Sequence, residues 1–117
     1  MKIIHITEAL GGGGVAYSLS QLAKAQAADG HDVLVVHSIR PDTPVDMLPT
    51  LYPAPIKRQV LPMVTAISPV ADLKALWQIM GVLRTAQPDV IHLHSSKAGV
   101  LGRLAAFLTG RRQQVFY

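Results

Sequence analysis

The pattern that decides the fold lies in residues 3–37, IIHITEALGGGGVAYSLSQLAKAQAADGHDVLVVH. A β-branched run at residues 3–7 leads into four consecutive glycines, and a second β-branched run occupies residues 31–37. Between them, Gly30 follows an amphipathic stretch in which Val15, Leu19, Leu22, Ala23 and Gln26 recur at helical spacing. Strand, glycine loop, helix and strand in this order predict a right-handed βαβ unit with buried parallel strands.

The next segment, residues 40–55, differs in character because it is rich in proline and has no sustained periodicity. Five of the eight prolines of the chain lie here: Pro41, Pro44, Pro49, Pro53 and Pro55. A stretch of this length and composition predicts a long surface excursion and a candidate functional loop. Residues 57–61 then predict a weak third strand.

The second half of the chain continues the alternation of helices and strands. Ser68 is the predicted N-cap of a helix that begins at Pro69, has Asp72 in its first turn and stops at Gln87-Pro88. Its apolar stripe, which we expect in the core, is Val70, Leu73, Leu76, Trp77, Met80 and Leu83. A fourth strand follows at residues 89–94. A helix at residues 96–109, with apolar Ala98, Leu101, Ala105 and Leu108, then stops at Gly110, and a fifth strand begins at Gln114.

These elements predict an α/β fold, a Rossmann-like doubly wound parallel sheet with the strand order 3-2-1-4-5. The sequence ends on the apolar run Val115-Phe116-Tyr117, so we expect the sheet to be truncated in or after the fifth strand. In such sheets the ligand crevice lies at the carboxyl ends of the strands where their order reverses, here between strands one and four. The loops that flank this crevice are residues 8–14 and 94–97.

The composition describes an aliphatic globular unit of 117 residues, with 50% hydrophobic and 15% charged residues. No cysteine is present, which excludes disulfides and thiolate chemistry and fits a cytoplasmic location. The net charge of +4 is spread along the chain. No nucleic-acid partner is expected, because no basic run is interleaved with aromatic residues.

The glycine loop is the first candidate binding element. Gly12, Gly13 and Gly14 lack Cβ atoms and precede a helix, so their amides and the positive end of the helix dipole favour a phosphate. A plain turn is the alternative.

The G-x-G-x-x-G/A pattern of dinucleotide-binding domains is also matched, by Gly11, Gly13 and Ala16. However, residues 8–10 separate the first strand from the glycines, and no acidic residue ends the second strand. Ser38 and Arg40 stand there instead and would suit a 2′-phosphate, so an NADP site remains an alternative.

The corner formed by His94, Ser95, Ser96 and Lys97 is the second candidate. Either serine can cap the helix, but Lys97 in the first turn opposes the helix dipole unless a bound anion compensates. A solvated lysine is the alternative. Glu8, the only glutamate, stands at the mouth of the central strand and is a candidate hydroxyl-binding or acid/base group, or a solvated loop residue.

Four histidines lie on neighbouring predicted strands: His5, His37, His92 and His94. His92 and His94 share a strand face, and His94 is nearest the crevice. Since no acidic or thiolate ligands accompany them, we interpret the set as hydrogen-bonded core residues and expect no metal site.

Three segments together resemble one family. They are Gly13-Gly14-Val15 with the helix carrying Leu22-Ala23, then Gly30-His31-Asp32-Val33-Leu34-Val35-Val36, then Pro88-Asp89-Val90-Ile91-His92-Leu93-His94-Ser95-Ser96-Lys97-Ala98-Gly99. In this order and spacing they resemble the N-terminal half of the retaining family-4 glycosyltransferases of GT-B fold.

The resemblance implies transfer of a sugar from a nucleotide-sugar donor to a saccharide or lipid-linked acceptor with retention, in cell-surface polysaccharide or glycolipid synthesis. Residues 1–117 would be the acceptor-side domain, incomplete, with the C-terminal nucleotide-sugar domain absent and this chain alone inactive. Gly13 and Gly14 would contact the donor diphosphate, the residue 94–97 corner would line the cleft, and no metal would be needed. The resemblance does not identify catalytic residues.

Basic residues surround the last predicted helix, and two alternatives to the transferase remain open. Arg103, Arg111 and Arg112 around the last helix suit peripheral contact with anionic lipid at the inner face of the membrane, and an ordinary solubilising surface is the alternative. An NADP-dependent oxidoreductase domain is the alternative to the transferase. A non-enzymatic module that binds a phosphate ligand is the third candidate.

Overall fold

The computed structural model describes residues 1–7, 14–38, 48–61, 68–94, 96–111 and 114–116, and the side chains of residues 14–17, 48, 96 and 97 are outside this description. The described elements are β1 (Lys2–Thr7), α1 (Gly14–Ala28), β2 (Asp32–His37), α2 (Leu48–Leu51), β3 (Lys57–Val60), α3 (Pro69–Ala86), β4 (Val90–Leu93), α4 (Ser96–Leu108) and β5 (Val115–Phe116). All five strands form one parallel sheet in the order β3-β2-β1-β4-β5. The predicted fold class and strand order are confirmed.

Strand β1 is the centre of the sheet. It pairs with β2 along its whole length, as far as Thr7 opposite His37, and with β4 as far as Ile6 opposite Leu93. The backbone N–H of His94 then donates to the Ile6 carbonyl at 3.1 Å, which extends the ladder one residue past β4. The carboxyl ends of β1, β2 and β4 therefore meet at one edge of the sheet.

The two faces of the sheet carry different cores, because successive strand residues point to opposite sides. Helices α3 and α4 cover one face, which buries Ile4, Ile6, Val36, Leu61, Ala75, Leu76, Ile79, Val82, Leu83, Ile91, Leu93, Ala98, Leu101, Ala105 and Ala106. Helices α1 and α2 cover the other, where the buried apolar set is Leu19, Ala23, Val33, Val35, Tyr52 and Ile56. Polar side chains occupy much of the rest of that second face.

The predicted helix ends are confirmed. Gly30 after α1 and Gly110 after α4 have φ of 89° and 76°, and Gln87 ends α3 with φ of 49°. This left-handed conformation suits glycine and explains why the helices stop there. Ser68 has the extended conformation of an N-cap, but its side chain makes no capping bond; instead its backbone N–H donates to Oδ2 of Asp72 at 3.3 Å.

The predicted core stripe of α3 is wrong at three positions. Val70, Leu73 and Trp77 are 82%, 66% and 72% exposed. The face that contacts the sheet is centred on Ile79, and at 3.6 residues per turn these three side chains lie about 120–180° around the helix from it. The helix is apolar on more than one face, so periodicity alone did not select the buried one. In the described ranges no helix combines the length and the apolar character that a membrane span requires.

Smaller corrections concern other predicted apolar positions. Leu22 on α1 and Leu108 on α4 are 37% and 52% exposed rather than buried. Within the predicted surface excursion, residues 40–47 are outside the described part, but Tyr52 is buried in the core beside α1, together with Ile56 just after the excursion. The Ser20 hydroxyl donates to the Leu51 carbonyl and ties α2 to α1. The end of the proline-rich segment is thus part of the domain core.

Candidate functional site

The predicted crevice lies where β1 and β4 end and α1 and α4 begin. Gly14 is the first residue of α1, Ser96 is the first residue of α4, and His94 directly follows β4. Neither helix has an acidic residue in its first turn, so the positive ends of both dipoles are left uncompensated by the helices' own side chains. An edge of this kind favours an anionic group.

Most of the predicted site residues cannot be placed from this structure. Glu8, Gly12, Gly13 and Ser95 lie outside the described residues, as do the side chains of Ser96 and Lys97. Their proposed roles therefore stay predictions.

Three histidines form a cluster on the face of the sheet that α1 covers. His5 on β1 lies opposite His92 on β4, and His94 is two residues further along on the same side. The ring centroids are 5.2 Å apart for His5 and His92, 5.0 Å for His5 and His94, and 4.0 Å for His92 and His94. His5 is wholly buried, while His92 and His94 are partly exposed. We call these three residues the histidine cluster.

A hydrogen-bond chain joins this cluster to α1. The Oε1 oxygen of Gln26 lies 2.6 Å from Nε2 of His5, and Nδ1 of His5 lies 2.9 Å from Nε2 of His94. A carbonyl oxygen only accepts, so Nε2 of His5 carries the proton and donates to Gln26. In a neutral imidazole the other nitrogen is then an acceptor, and His94 donates through Nε2–H to Nδ1 of His5.

The environment keeps the cluster neutral. Burial lowers the pKa of His5 to about 4, although the hydrogen bond to Gln26 opposes this shift and the positive form of His92 adds to it. Burial, with repulsion from His92 and His5, lowers the pKa of His94 to about 3. Burial also lowers the pKa of His92. At neutral pH all three side chains are uncharged imidazoles, which is the state that the hydrogen-bond chain requires.

Three imidazoles are also a donor set that zinc and related metals accept. One ligand nitrogen from each of His5, His92 and His94 lies within 4.8 Å of the others. Two nitrogens on a tetrahedral zinc are about 3.3 Å apart, since each Zn–N bond is about 2.0–2.1 Å. The 2.9 Å between His5 and His94 is a hydrogen-bond distance instead. The arrangement is that of a hydrogen-bonded cluster, and metal binding would require the rings to move apart.

His37 is a second buried imidazole at the same sheet edge, at the end of β2. Its Nδ1–H donates to the Ser38 carbonyl at 3.1 Å, so its Nε2 is an acceptor, and among the described residues no donor reaches that nitrogen. Burial lowers the pKa of His37, and the nearby Arg58 charge acts in the same direction. This side chain is held neutral like the cluster.

Gln26 is a site residue that the sequence did not single out, since it was interpreted only as one position of the helical repeat in the first helix. A polar side chain at a stripe position, facing a strand with a central histidine, was the available signal. The interpretation of the histidines as hydrogen-bonded core residues is confirmed for His5, which is buried and bonded to Gln26 and His94. His94 shares that hydrogen bond but is partly exposed.

A groove in the described part of the chain lies away from this site. It has a volume of about 790 Å³ and is lined by β3 and α3, with Leu34, Gln59, Gln78 and Gly81 among its walls. Since α3 covers the opposite face of the sheet from the histidine cluster, this groove is separate from the crevice.

Comparisons with known proteins identify the family of the domain. A glycosyl transferase 4-like domain matches residues 13–117. A UDP-Gal:alpha-D-GlcNAc-diphosphoundecaprenol alpha-1,3-galactosyltransferase of Escherichia coli is 46% identical over 44 residues, which are 38% of this chain and 11% of that protein.

Solved structures share the fold. A glycosyltransferase from Rickettsia africae superposes with a TM-score of 0.73 at 20% identity over 92% of this chain and 27% of its own. A putative UDP-N-acetylglucosamine 2-epimerase from Listeria monocytogenes superposes with a TM-score of 0.66 at 17% identity. The match covers 94% of this chain and 29% of that protein. This chain therefore spans less than a third of the length of each of these three proteins. The domain match covers most of the sequence, and the chain belongs to the glycosyl transferase 4-like domain family.

Proposed function

We propose that this chain is the acceptor-side domain of an enzyme that moves a sugar from a nucleotide-sugar donor to a saccharide or lipid-linked acceptor. The family match over residues 13–117 is the observation that carries this proposal. The name of the Escherichia coli relative, with a UDP-sugar donor and an acceptor on diphosphoundecaprenol, supports a lipid-linked acceptor. The pathway that we propose is the synthesis of a cell-surface polysaccharide or glycolipid at the cytoplasmic face of the membrane.

The proposed reaction retains the anomeric configuration and uses no metal or other cofactor. Gly12, Gly13 and Gly14 bind the donor diphosphate through backbone amides at the start of α1. Lys97, at the start of α4, supplies a positive charge near the same edge, where two helix dipoles already favour an anion. The nucleotide itself is bound by a second, C-terminal domain.

A transfer assay tests this proposal. The enzyme that carries this domain is incubated with radiolabelled UDP-sugars and an undecaprenyl-diphosphate-linked saccharide, and the product is analysed by NMR for its anomeric configuration. We expect transfer with retention, with EDTA present or absent, and no transfer by residues 1–117 alone. Inversion, dependence on a divalent metal, or turnover by the isolated chain would each contradict the corresponding part.

Matched lysine variants test the role of Lys97. Replacing Lys97 by alanine removes a charge that acts on the transition state, so we expect kcat/KM to fall about 10–100-fold. Lys57 is an exposed lysine on β3 and serves as the control, for which Lys57→Ala leaves kcat/KM unchanged. Equal effects of the two variants would remove Lys97 from the site.

Calorimetric titration separates the transferase from the NADP-dependent alternative. We expect the enzyme that carries this domain to bind UDP in the micromolar range and to show no heat with NADPH. Tight NADPH binding would favour an oxidoreductase, and binding of inorganic diphosphate without any transfer would favour a phosphate-binding module.

We also propose that the exposed face of α3 contacts anionic lipid. Val70, Leu73 and Trp77 lie along one side of this helix, and Lys74 is exposed beside them. Tryptophan with aliphatic neighbours and a basic residue suits the interfacial region of a bilayer, and the net charge of +4 favours an anionic surface. Arg103 on α4 adds positive charge on the same side of the sheet, and Arg111 follows that helix, while Arg112 of the same predicted cluster lies outside the described residues.

Sedimentation with vesicles tests this contact. We expect binding to phosphatidylglycerol vesicles to exceed binding to phosphatidylcholine vesicles, and Trp77→Gln to weaken it several-fold. Thr85 is exposed near the end of the same helix, and Thr85→Gln should leave binding unchanged. A dimer that Trp77→Gln dissociates, without vesicle binding, would assign this face to a second copy of the protein.

A further inference from the structure

The hydrogen-bond chain through the histidine cluster has a direction. It begins at Gln26 near the end of α1, passes through the wholly buried His5 at the centre of β1, and ends at the partly exposed His94 beside the crevice. Because Oε1 of Gln26 accepts, each imidazole in the chain is forced into its Nε2–H form. The Nδ1 atom of His94 is then left without a proton.

We propose that Gln26 and His5 are positioning residues, which hold His94 with Nδ1 as an acceptor for a hydroxyl group of the acceptor saccharide in the crevice. This inference rests on the proposed function and specifies what His94 recognises there. An uncharged imidazole that presents a lone pair attracts a hydroxyl donor and has no attraction for a diphosphate. The histidine cluster therefore contacts the acceptor saccharide, while the starts of α1 and α4 bind the donor diphosphate.

NMR on this chain tests the positioning without any turnover. Long-range ¹H–¹⁵N spectra distinguish the two imidazole tautomers. We expect His94 of the native chain to populate the Nε2–H form almost alone. Gln26→Met keeps the length of the side chain but removes the oxygen, so both tautomers of His94 should become populated. Gln26→Glu restores an acceptor oxygen and should restore the single tautomer.

Gln21 provides the matched control because it is exposed on the same helix. Gln21→Met should leave the tautomer of His94 unchanged. A native His94 in the Nδ1–H form would overturn the proposal. So would a tautomer shift of the same size in Gln21→Met and Gln26→Met, since that would reflect a general change in the helix.

Kinetics of the enzyme that carries this domain give the functional readout. Gln26→Met should lower kcat/KM for the acceptor about tenfold, as expected for one misplaced hydrogen bond, and leave KM for the donor unchanged. Gln26→Glu should recover most of that loss. A change confined to the donor KM would overturn the assignment. If no sugar is transferred at all, the proposed function fails, and the NMR result alone decides whether Gln26 and His5 position His94.

Discussion

The two faces of the sheet make opposite use of the same strands. Under α3 and α4, the central residues of β1, β2 and β4 present aliphatic side chains, which include Ile4, Ile6 and Ile91. Under α1, the same strands present imidazoles, with His5, His37, His92 and His94 next to a smaller apolar core.

This difference shows how the domain separates folding from binding. An aliphatic core gains stability from apolar burial and needs no particular hydrogen-bond partner. A buried imidazole loses hydration and needs a partner for each nitrogen, which restricts what can surround it. Because the imidazoles lie on one face, the need for hydrogen-bond partners falls on the residues beside the crevice. The other face can then stabilise the fold by apolar burial alone.

The largest expected effect comes from the aliphatic face. Ile79 on α3 is fully buried, so Ile79→Ala should lower the free energy of unfolding by about 2–5 kcal/mol through lost burial and the cavity left behind. Urea unfolding measures this. Trp77→Ala on the same helix should change stability by about 0.5 kcal/mol or less, because Trp77 is 72% exposed. A loss for Trp77→Ala as large as for Ile79→Ala would contradict the assignment of the buried face.

Lowering the pH should reduce the stability of the fold through the histidines on the face that α1 covers. The pKa values of about 4 for His5 and about 3 for His94 lie below the ordinary 6.5, so between these values the unfolded chain binds protons that the folded chain excludes. Stability is therefore fully present above pH 6.5 and falls as the pH is lowered, by up to about 1.4 kcal/mol per pH unit for each such histidine. The partly exposed His94 should contribute less than His5.

Urea unfolding at a series of pH values checks this acid effect. Among the described residues, the groups that face His5 are Gln26, His92 and His94, and none of these three carries a compensating negative charge. The variant His5→Asn should therefore show a shallower decline between pH 6.5 and 4.5. Stability that stays constant over this range in the native chain would show that the imidazoles accept protons without loss of structure.

Alanine substitutions at Gly102 and Gly81 should have the smallest effects on the free energy of unfolding, and the two effects should have opposite signs. A Cβ at Gly102 on α4 would overlap the side chain of Leu93, which is only 1% exposed and would have to shift within the core. Gly102→Ala should therefore destabilise by about 1 kcal/mol after its gain in helix propensity. At Gly81 on α3 nothing lies within 4 Å of the added atom, so Gly81→Ala should stabilise by about 0.5–1 kcal/mol. Calorimetric Tm values should move in opposite directions, and a common sign would show that the approach of α4 to β4 is looser than described.

Much of the fold was predictable because the relevant signals are local. Glycines at the helix ends, β-branched runs and the alternation of strand with helix gave the element order and, with the rule for parallel crossovers, the strand order. Which side of α3 is buried was not predictable in this way. Its sequence has apolar residues on several sides, and only packing against the sheet selects Ile79 over Trp77.

The candidate site divides along the same line. The sequence by itself determined that His94 follows a strand at the crevice edge, and that His92 and His94 share a face, because a strand alternates with period two. Only the tertiary structure decided that Gln26 reaches His5 and that His5 reaches His94. A hydrogen bond needs two atoms within about 3 Å, and such a distance between residues far apart in sequence is fixed by strand register and helix packing, not by the chain's local pattern.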